Sequence, residues 1–536
     1  MWCLQAAPES QATLSESLTI GNAKALALGN AVTADPPGID SVHFNPAGLA
    51  RLEGRQSHLK VVGATFNILL EFGDYNDERK QYLQEQQANG LFPDEYFEDE
   101  AHNTTSETAG VSLMLPVFGL TDMPVAIAPL GGASYQPPGS NITFATNVYA
   151  PMMVGFYRED DDPGRWMGER LSFMQLTYFS PSFAYEVTDE FTFGAAMTFN
   201  YTGVGIDLPF RQPHVGLPFL GWLQGELCPD YAPGNDPDIE YPPICGDQIG
   251  LYDLLGYLSF EVEQPLTVGF NLGFLWQPVP WLTVGMMYQP SIPMKMEGEY
   301  EWRNGDSWNN FIAELVNDPL YQTGTVLLDL FGYRLPSGEA GSSGEASIDM
   351  DTPEFFSTGV SVQLTSKVKL NVDYKYAGWS EWQTIPVKFE NPIDLLGIAE
   401  IVQPDAATRN SVTFPLGLSD TWNWGVGVEY QWDNTTVLRF GIEDRPTSVS
   451  GEAKSPLIPM GSGKLYGAGM GFVMEGGGQM DFSLGYFASS MNMPGGTSRL
   501  GNSTDPYLMI YNPYAGTDIE ANLTVYLVEF SISQPF

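Results

Sequence analysis

Hydrophobic and polar residues alternate with a period of two along much of this chain. Residues 421–432 read TWNWGVGVEYQW, in which every second residue from Trp422 to Trp432 is apolar and the others are Thr, Asn, Gly, Glu or Gln. Because successive side chains of a β-strand point to opposite faces, this predicts a strand with one apolar face and one small or polar face. The same alternation recurs in residues 191–201, 266–274 and 362–376.

Two architectures explain such strands. In a soluble sandwich the apolar face is the core, whereas in a membrane barrel it meets lipid and the polar face lines the lumen. The barrel is favoured because Trp and Tyr stand at the ends of the apolar faces, as interfacial girdles do. The runs also often reach about 10 residues, which is a transmembrane length.

Short and long connections alternate between the predicted strands. The short ones resemble tight turns, at 119–124, 186–190, 276–281, 365–367, 431–435 and 475–479. The long ones are polar and cover about 73–106, 136–169, 204–264, 298–354, 384–419, 444–464 and 490–518. This count predicts an all-β fold, a 14-stranded antiparallel transmembrane β-barrel, because an even strand number with short turns at one end is typical of outer-membrane barrels.

The last predicted strand supports this architecture. Residues 521–536 read ANLTVYLVEFSISQPF, and one face carries Tyr526, Val528, Phe530, Ile532 and Phe536. This ending resembles that of outer-membrane barrels, whose C-terminal aromatic residue is read by the barrel-assembly machinery, although Pro535 departs from the usual form. The alternative is a soluble terminal strand that ends in Phe by chance.

Composition narrows the possible partners. The 536 residues contain 65 acids and 23 bases, for a formal net charge of -42. We therefore expect no nucleic-acid partner, because phosphate contacts need clustered Lys and Arg. Aromatic residues make up 13% of the chain, which also has 57 glycines and 40 prolines, a composition that favours an all-β fold. The sequence contains no run of about 18 apolar residues, so it predicts no transmembrane helix.

The N-terminal residues do not fit the strand pattern. MWCLQAAPESQA, residues 1–12, lacks a charged first region and a full apolar core, so we expect the tail of a signal peptide or a disordered N-terminus. Residues 13–52 alternate small with apolar residues, and the barrel is predicted to span 53–536. Because a 14-stranded lumen is too wide for its own side chains to fill, the segment 13–52 could occupy it.

This segment resembles the N-terminal hatch of the FadL family, the outer-membrane transporters of long-chain fatty acids and other hydrophobic compounds. The resemblance rests on IGNAKALALGNAVTAD followed by SVHFNPAGLARL, which contains Asn45, Pro46, Ala47 and Gly48. Further similarity lies in PSFAYEVTDEFTFGAAMTFNY, YKYAGWSEWQ and LRFGIEDRPTSVS. The resemblance implies a barrel in the Gram-negative outer membrane that is plugged by the hatch, defined here as residues 13–52. It also implies passive uptake of hydrophobic compounds, with long-chain fatty acids as the expected substrate.

The hatch motif has a physical interpretation of its own. Pro46 fixes φ and pushes Asn45 out of the helical region, and an Asn side chain can brace a turn. Ala47 and Gly48 permit close approach to the wall. The motif is therefore either a structural turn or a moving part of a gate, and the two roles are compatible.

The family is thought to release its ligand sideways through a kink in the third strand. In this sequence the predicted third strand contains Pro129, Gly131 and Gly132, and both residue types interrupt or bend strands. The resemblance therefore implies a lateral exit there, with an ordinary bulge as the alternative.

Apolar stretches in the third and fourth long loops predict ligand capture. Their i, i+3, i+4 spacing suggests amphipathic helices, and exposed apolar patches often mark binding sites. The alternative is that the helices only pack on each other. The candidate capture residues are Leu217, Phe219, Leu220, Trp222, Leu254, Leu255, Phe311, Leu315, Leu327 and Phe331.

A fatty-acid carboxylate would need a cation, and Lys375, Lys388 and Arg439 are candidates on or near polar faces. The alternative for each is an ion pair with Asp or Glu. Cys228 and Cys245 lie in one Pro- and Asp-rich stretch, so we expect either a loop disulfide in an oxidising compartment or two free thiols.

Signals for an enzyme are weak. The four histidines show no metal-ligand spacing, and GSGKL at 461–465 lacks the features of a phosphate-binding loop. We expect no catalytic site, no metal and no cofactor, and a monomer whose other partners are outer-membrane lipid and lipopolysaccharide. The competing functions are a general diffusion porin and a structural or partner-binding barrel. Deleting residues 13–48 would discriminate, because only a plugged barrel should leak afterwards.

Overall fold

The computed structural model describes residues 21–88, 99–211, 249–250, 252–317, 319–330, 332, 334–505, 508 and 511–536. In these ranges the α-helices are α1 (Ala23–Ala27), α2 (Ser41–Phe44), α3 (Asp77–Ala88), α4 (Asp306–Leu315), α5 (Pro319–Asp329) and α6 (Asp394–Val402). No helix among the described residues is long and apolar enough to cross a bilayer. Short 3₁₀ helices occupy Gly38–Asp40, Pro46–Arg51, Arg165–Met167, Trp379–Glu381 and Gly451–Ala453.

The strands dominate the chain, and most of them are long. They are β1 (Arg55–Tyr75), β2 (Thr105–Glu107), β3 (Val111–Leu115), β4 (Gly119–Met123), β5 (Ala126–Tyr135), β6 (Ile142–Tyr157), β7 (Arg170–Phe179), β8 (Ser182–Thr188), β9 (Phe191–Phe210), β10 (Gly256–Val279), β11 (Leu282–Gln289), β12 (Pro293–Asn304), β13 (Gly341–Asp351), β14 (Phe355–Gln363), β15 (Val368–Ala377), β16 (Thr384–Phe389), β17 (Ala407–Thr408), β18 (Ser411–Pro415), β19 (Thr421–Gln431), β20 (Thr436–Arg445), β21 (Ser462–Val473), β22 (Gln479–Met493) and β23 (Thr517–Pro535).

All strands except β3 and β4 belong to one antiparallel sheet that closes on itself as a barrel of 14 wall strands. Eight wall strands are single segments, and six consist of two segments. Five of the six are consecutive in the chain (β7 with β8, β11 with β12, β13 with β14, β15 with β16, and β18 with β19), whereas β3 and β4 separate β2 from β5. The barrel closes where β1 pairs with β23. The predicted fold class is confirmed.

One pair of predicted wall strands was placed wrongly. The turn predicted at 119–124 would join the second wall strand to the third, which was expected to contain Pro129, Gly131 and Gly132. Instead, β3 and β4 pair only with each other, as a hairpin outside the wall sheet. The third wall strand is β6, which lies inside the predicted loop 136–169. The predicted number of 14 wall strands is nevertheless correct, because β6 was not predicted as a wall strand and the strand predicted before the turn at 119–124 is not one.

The outer face of the barrel carries an apolar band next to the short-turn end. On β10 this band comprises Leu266, Val268, Phe270, Leu272, Phe274 and Trp276, all of them exposed. Ten residues at about 3.3 Å each, tilted by about 40°, span about 25 Å, which matches the apolar band of outer-membrane barrels. Nearer the long-loop end, the outer face of β10 carries Glu261 and Glu263 instead.

The inner face shows the reverse order of polarity. On β1, the buried inward residues near the short-turn end are His58 and Lys60, whereas those farther along are Phe66, Ile68 and Leu70. The neighbouring strand β23 changes in the same way, from Glu529 and Ser531 to Val525 and Leu523. The barrel therefore has a polar lower lumen inside the apolar band and an apolar upper lumen above it.

Candidate functional site

The upper lumen contains an apolar cavity with a volume of about 110 Å³. Its lining comes from strands on several sides of the barrel and from the loops above. An engineered apolar cavity of about 150 Å³ binds benzene, so this space suits a small hydrophobic molecule. The lining residues are Phe66, Ile68, Met152, Val154, Phe156, Leu171, Ser172, Phe173, Val204, Ile348, Met350, Trp382, Ile385, Leu416, Leu457, Ile458, Pro459, Met460 and Leu523.

No lining residue of this cavity carries a charge, and Ser172 is its one hydroxyl residue. Burying an ionised carboxylate without a partner is costly, whereas a neutral apolar molecule gains free energy on leaving water. The cavity thus favours neutral ligands. The apolar cluster that includes its lining continues downward to Leu26 of α1, so α1 contributes to the floor of the upper lumen.

A cluster of loop residues around Arg211 lies at the long-loop end of the barrel. The buried guanidinium of Arg211 donates to both carboxylate oxygens of Asp99, at 2.7 and 3.0 Å. It also lies over the rings of Trp166, Tyr252 and Tyr514, with its central carbon 4.8 to 5.4 Å from the ring centroids. Burial disfavours the charge, but Asp99 outweighs this effect and raises the pKa of Arg211. A buried Arg211–Asp99 ion pair thus stabilises this cluster of loop residues.

Below the cavity, the described part of the hatch (residues 21–52) fills the polar lumen. Asp40 is fully buried and connects the hatch to the wall. Its carboxylate accepts from Asn22 and Asn147, both at 2.7 Å, contacts His58 at 3.0 Å and forms an ion pair with Lys60. Burial alone would raise the pKa of Asp40, but Lys60 and His58 reverse this effect and hold the pKa well below its usual range.

Asp35 anchors the hatch at a second point. Its carboxylate pairs with Lys24 at 2.8 Å and Arg51 at 2.9 Å, both in the hatch, and with Lys369 of β15 at 2.9 Å. Burial would raise the pKa of Asp35, but Lys24, Lys369 and Arg51 together lower it. Lys369 also contacts Glu429 of β19 at 3.1 Å, so the network continues into the wall.

The Asn45-Pro46-Ala47-Gly48 motif sits against the wall. Asn45 is extended (φ −173°), its side-chain oxygen accepts from the Ala47 amide, and Pro46 begins the following 3₁₀ helix. The Asn45 amide donates to the Thr33 carbonyl at 2.8 Å and to the Phe274 carbonyl of β10 at 3.0 Å. The predicted brace is thus present, and one of its bonds reaches the wall.

Close approach depends mainly on glycines of the wall. A Cβ on Gly273 would lie 2.1 Å from the Asn45 side-chain oxygen, and one on Gly194 would lie 2.3 Å from the Ala47 nitrogen. Gly48 instead packs within the hatch, where a Cβ would meet Pro36 at 2.3 Å. Other wall glycines lie against the hatch backbone or side chains in the same manner: Gly285, Gly425, Gly427, Gly441, Gly467 and Gly485.

The wall has a side gap between its second and third strands. β5 pairs with β1 from Ala126 to Tyr135, but it pairs with β6 only from Gly131 onward. Residues 126–130 and 149–153, which the register would place opposite each other, therefore form no ladder. An isolated bridge between Gly110 and Tyr157 bounds this gap above, and the pair Gly131–Val148 bounds it below.

The gap lies beside the cavity. Phe66 and Ile68 line the cavity from β1, and Met152 and Val154 line it from β6, on the other side of the gap. β6 also has a register shift against β7 between Tyr149 and Met152, at a segment that contains Pro151. The third wall strand is thus irregular where it borders the gap.

The predicted kink residues have a different position from the one expected. Pro129, Gly131 and Gly132 lie on the second wall strand, and their register with β1 is continuous. Pro129 falls in the part of β5 that has lost β6, whereas Gly131 and Gly132 begin the paired part. The assignment of these residues to a third-strand kink is therefore wrong, because the hairpin β3–β4 was counted as wall.

The loop helices of the fourth long loop are present as α4 and α5. Phe311 and Leu255 are buried together with Trp308 and Ile312, and Leu315 packs against them. Leu254 and Leu327 remain exposed, by 42% and 54%. The helix expected around Leu254 is wrong, because Gly256–Val279 is a strand. Leu217, Phe219, Leu220, Trp222, Phe331, Cys228 and Cys245 lie outside the described residues.

The three candidate cations already have protein partners. Lys375 pairs with Glu443 at 2.9 Å, and Arg439 is buried between Glu429 and Asp481. Lys388 is exposed and pairs with Asp349 at 3.2 Å. None of the three lines the cavity. All three residues therefore form ion pairs with Asp or Glu, which was the alternative to binding a fatty-acid carboxylate. Among the described residues, no cluster of His, Cys, Asp or Glu could hold a metal.

Comparisons with known proteins agree with this architecture. The family model described as outer membrane protein transport protein (OMPP1/FadL/TodX) matches residues 3–499. A search of curated proteins finds no match. Similar solved structures include a FadL homologue from Pseudomonas aeruginosa, with 17% identity, 99% coverage of both chains and a TM-score of 0.63.

Two further structures are described as toluene transporters. TodX of Pseudomonas putida has 12% identity and a TM-score of 0.58, with 98% of this chain and 100% of that chain covered. TbuX of Ralstonia pickettii has 15% identity and a TM-score of 0.54, with 96% and 98% covered. At these identities the three structures show a shared fold.

Proposed function

This chain belongs to the OMPP1/FadL/TodX family of outer-membrane transporters of hydrophobic compounds, and from that premise we propose a passive route through it. A neutral hydrophobic molecule enters between the extracellular loops, binds in the upper-lumen cavity, and leaves sideways through the gap between the second and third wall strands. The observation that carries this proposal is the uncharged cavity, which borders the gap on one side and stands above a polar, plugged lumen.

The lower lumen disfavours a direct path to the short-turn end. A hydrophobic molecule on that path would pass the fully buried ion pair Asp40–Lys60 and the partly buried ion pair Asp35–Lys369. Expelling the hatch would break both pairs and the other buried contacts of Asp40 with the wall. We therefore propose that ligand binding shifts the hatch only locally, through the shared apolar cluster that reaches Leu26.

Exposed apolar residues support capture from the loops. Leu254, Leu327 and Leu330 are exposed at the long-loop end, where a hydrophobic molecule would arrive first. Transport needs no energy source in this scheme, because the molecule follows its own gradient between apolar sites. We assign no catalytic role and no cofactor to the chain.

Two classes of ligand are candidates, namely long-chain fatty acids and small neutral hydrophobic molecules. Long-chain fatty acids are the substrate expected from the sequence, yet the cavity offers no cation for a carboxylate and has a volume of about 110 Å³. The geometry supports small neutral hydrophobic molecules, such as monoaromatic hydrocarbons, better.

Uptake of labelled toluene and labelled oleate by a host that lacks its own transporters tests this assignment. We expect the chain to accelerate toluene uptake more than oleate uptake. Faster uptake of oleate alone would reassign the ligand class, and acceleration of neither would contradict the proposed transport. Equal acceleration of a small hydrophilic sugar would identify a diffusion porin.

A further inference from the structure

We propose that a groove on the outer face of the barrel binds one phospholipid of the periplasmic leaflet. The phosphate of this lipid pairs with Arg55, and one of its acyl chains lies in the groove. The groove has a volume of about 430 Å³, which is within the usual range of ligand pockets, about 300–1,000 Å³. We call it the arginine groove, and its lining includes Arg55, Ala133, Tyr135, Phe144, Thr146 and Phe179.

The lower edge of the arginine groove is a row of three cross-strand neighbours. Arg55 of β1 pairs in register with Tyr135 of β5, and Tyr135 pairs with Phe144 of β6. All three side chains are exposed, whereas the adjacent residues Ser134 and Ala145 are buried. Because side chains alternate along a strand, the row points away from the lumen.

The depression above this row results from small side chains. The next outward-facing row consists of Ser57, Ala133 and Thr146, and in the row after that Gly131 lies between two larger residues. The exposed ring of Phe179, at the end of β7, borders the depression. Large side chains around a floor of small ones leave room for a chain of methylene groups.

The row of Arg55 lies at the depth of lipid headgroups. Tyr135 ends β5 and Ile142 begins β6, so the row stands beside a short turn. In outer-membrane barrels the short turns face the periplasm, and aromatic side chains near them lie at the headgroup level. Exposed Trp281 and Trp432 stand beside two other short turns of this barrel in the same manner.

The charge of the groove favours an anionic group. The Arg55 guanidinium lies over the Tyr135 ring, 5.5 Å from its centroid, and among the described residues it forms no ion pair with a carboxylate. Guanidinium groups match phosphate oxygens in a bidentate geometry. Since the rest of the groove is largely apolar, the matching ligand has a phosphate head and an apolar tail. Phospholipids of the surrounding leaflet have both.

A second groove on the outer face supplies an internal control. It has a volume of about 410 Å³ and also lies near a short turn, but no charged residue lines it. Lipid that merely surrounds the barrel would cover both grooves alike. We call it the control groove, and its lining is Phe191, Phe274, Trp276, Val284 and Met286.

The arginine groove lies directly below the side gap. Gly131 and Val148, which bound the gap from below, are four residues above the row of Arg55. Four residues of a strand tilted by about 40° rise by about 10 Å, so an acyl chain that starts at Arg55 reaches the gap. A ligand that leaves the gap would then meet a bound acyl chain, and this consequence alone rests on the proposed function.

Photolabelling tests the lipid site without any transport. The full chain in detergent micelles receives phosphatidylglycerol with a diazirine in one acyl chain, at a low ratio of lipid to protein. After irradiation, mass spectrometry locates the adducts. We expect labelling of the arginine groove to exceed that of the control groove at least fivefold. A diacylglycerol with the same diazirine chain, which lacks the phosphate, should label both grooves within about twofold of each other.

Three variants separate the charge from the shape of the groove. Arg55→Gln removes the charge, and Ala133→Leu fills the floor, so each should abolish the excess labelling. Lys367→Gln is the matched control, because Lys367 is an exposed cation at another short turn and lines neither groove. It should keep the excess. Resistance of the unheated barrel to dodecyl sulfate verifies that each variant is folded.

Equal labelling of the two grooves in the parent chain would overturn the proposal. Excess labelling that survives in folded Arg55→Gln, or that Lys367→Gln also loses, would overturn it as well. Toluene uptake by the parent chain is a separate measurement. Selective labelling together with absent uptake would refute the proposed function and would still support the lipid site.

Discussion

The side chain of Asn45 in the hatch occupies the space that a side chain on Gly273 of the wall would need. A Cβ on Gly273 would lie 2.1 Å from the Asn45 oxygen, and the Asn45 amide donates to the carbonyl of the next wall residue, Phe274, at 3.0 Å. The hatch thus contacts the wall so closely at this point that only a glycine leaves room for the Asn45 side chain.

Enlarging Gly273 should therefore displace the hatch. We expect Gly273→Val to raise the ion conductance of the barrel in planar bilayers at least tenfold, because the valine cannot share this space with Asn45. Gly63→Val is the matched control, since the nearest atom to a Cβ there is 3.7 Å away. Equal conductance of the two variants would show that the hatch is not seated through this contact.

Asp40 provides a second test of how the hatch is held. Asp40→Ala leaves Lys60 and His58 buried without their carboxylate, which should weaken docking of the hatch by about 3–5 kcal/mol. Hydrogen exchange of the segment 38–50, followed by mass spectrometry, should accelerate. The double variant D40N/K60M restores charge balance and should recover part of the protection. Unchanged exchange in Asp40→Ala would contradict this role.

The hatch should also respond to mild acid through His43. Burial and the nearby Lys60 lower the pKa of His43 from its ordinary value of 6.5 to about 3. Between these values an exposed imidazole binds a proton and the docked one does not, so docking weakens as the pH falls, by up to about 1.4 kcal/mol per pH unit. Asp35 and Asp40, whose pKa values are lowered, lose their contribution only below about pH 3.9.

Conductance measured between pH 6.5 and 4.5 separates these groups. We expect openings to become more frequent as the pH falls in the parent chain, and the slope to flatten in His43→Gln. A slope that is the same in both proteins would exclude His43 as the titrating group.

The cavity can be tested with two neighbouring residues on opposite faces of β1. Phe66 lines the cavity, whereas Thr65 points outward. Phe66→Asn should lower the affinity for a neutral hydrophobic ligand about 10- to 100-fold, corresponding to about 1.5–3 kcal/mol of lost apolar burial. Thr65→Asn should leave it within about twofold. Ligand titration by calorimetry checks both values, and equal losses would argue against binding in this cavity.

The fold could be predicted from the sequence because period-two alternation and turn lengths are local signals. The hairpin at 111–123 was misplaced because a strand–turn–strand pattern does not say which sheet the pair joins. Pro129 and the two glycines after it were consequently assigned to the wrong wall strand.

The sequence analysis also did not predict that the lumen changes from polar near the short-turn end to apolar near the long-loop end. Residues 256–263 read GYLSFEVE, and Leu258, Phe260 and Val262 continue the alternation of the strand. Because two of the other residues are glutamates, the whole stretch was assigned to the long polar loop 204–264. Only the closed barrel shows that this apolar face points to the lumen. The sequence did contain a signal for the contact between hatch and wall. Gly425 and Gly427 occupy lumen-facing positions of β19, where the hatch backbone approaches the wall closely.

The central claim is that ligand leaves through the wall while the hatch stays in the lumen. The hydroxyl oxygens of Thr33 in the hatch and Ser357 in β14 lie 3.0 Å apart, so T33C/S357C should form a disulfide that tethers the two. Toluene uptake is then measured with the tether oxidised and again after reduction. The lateral route predicts rates within about twofold of each other, whereas a loss of tenfold or more that reduction restores would show that the hatch must leave the lumen for transport.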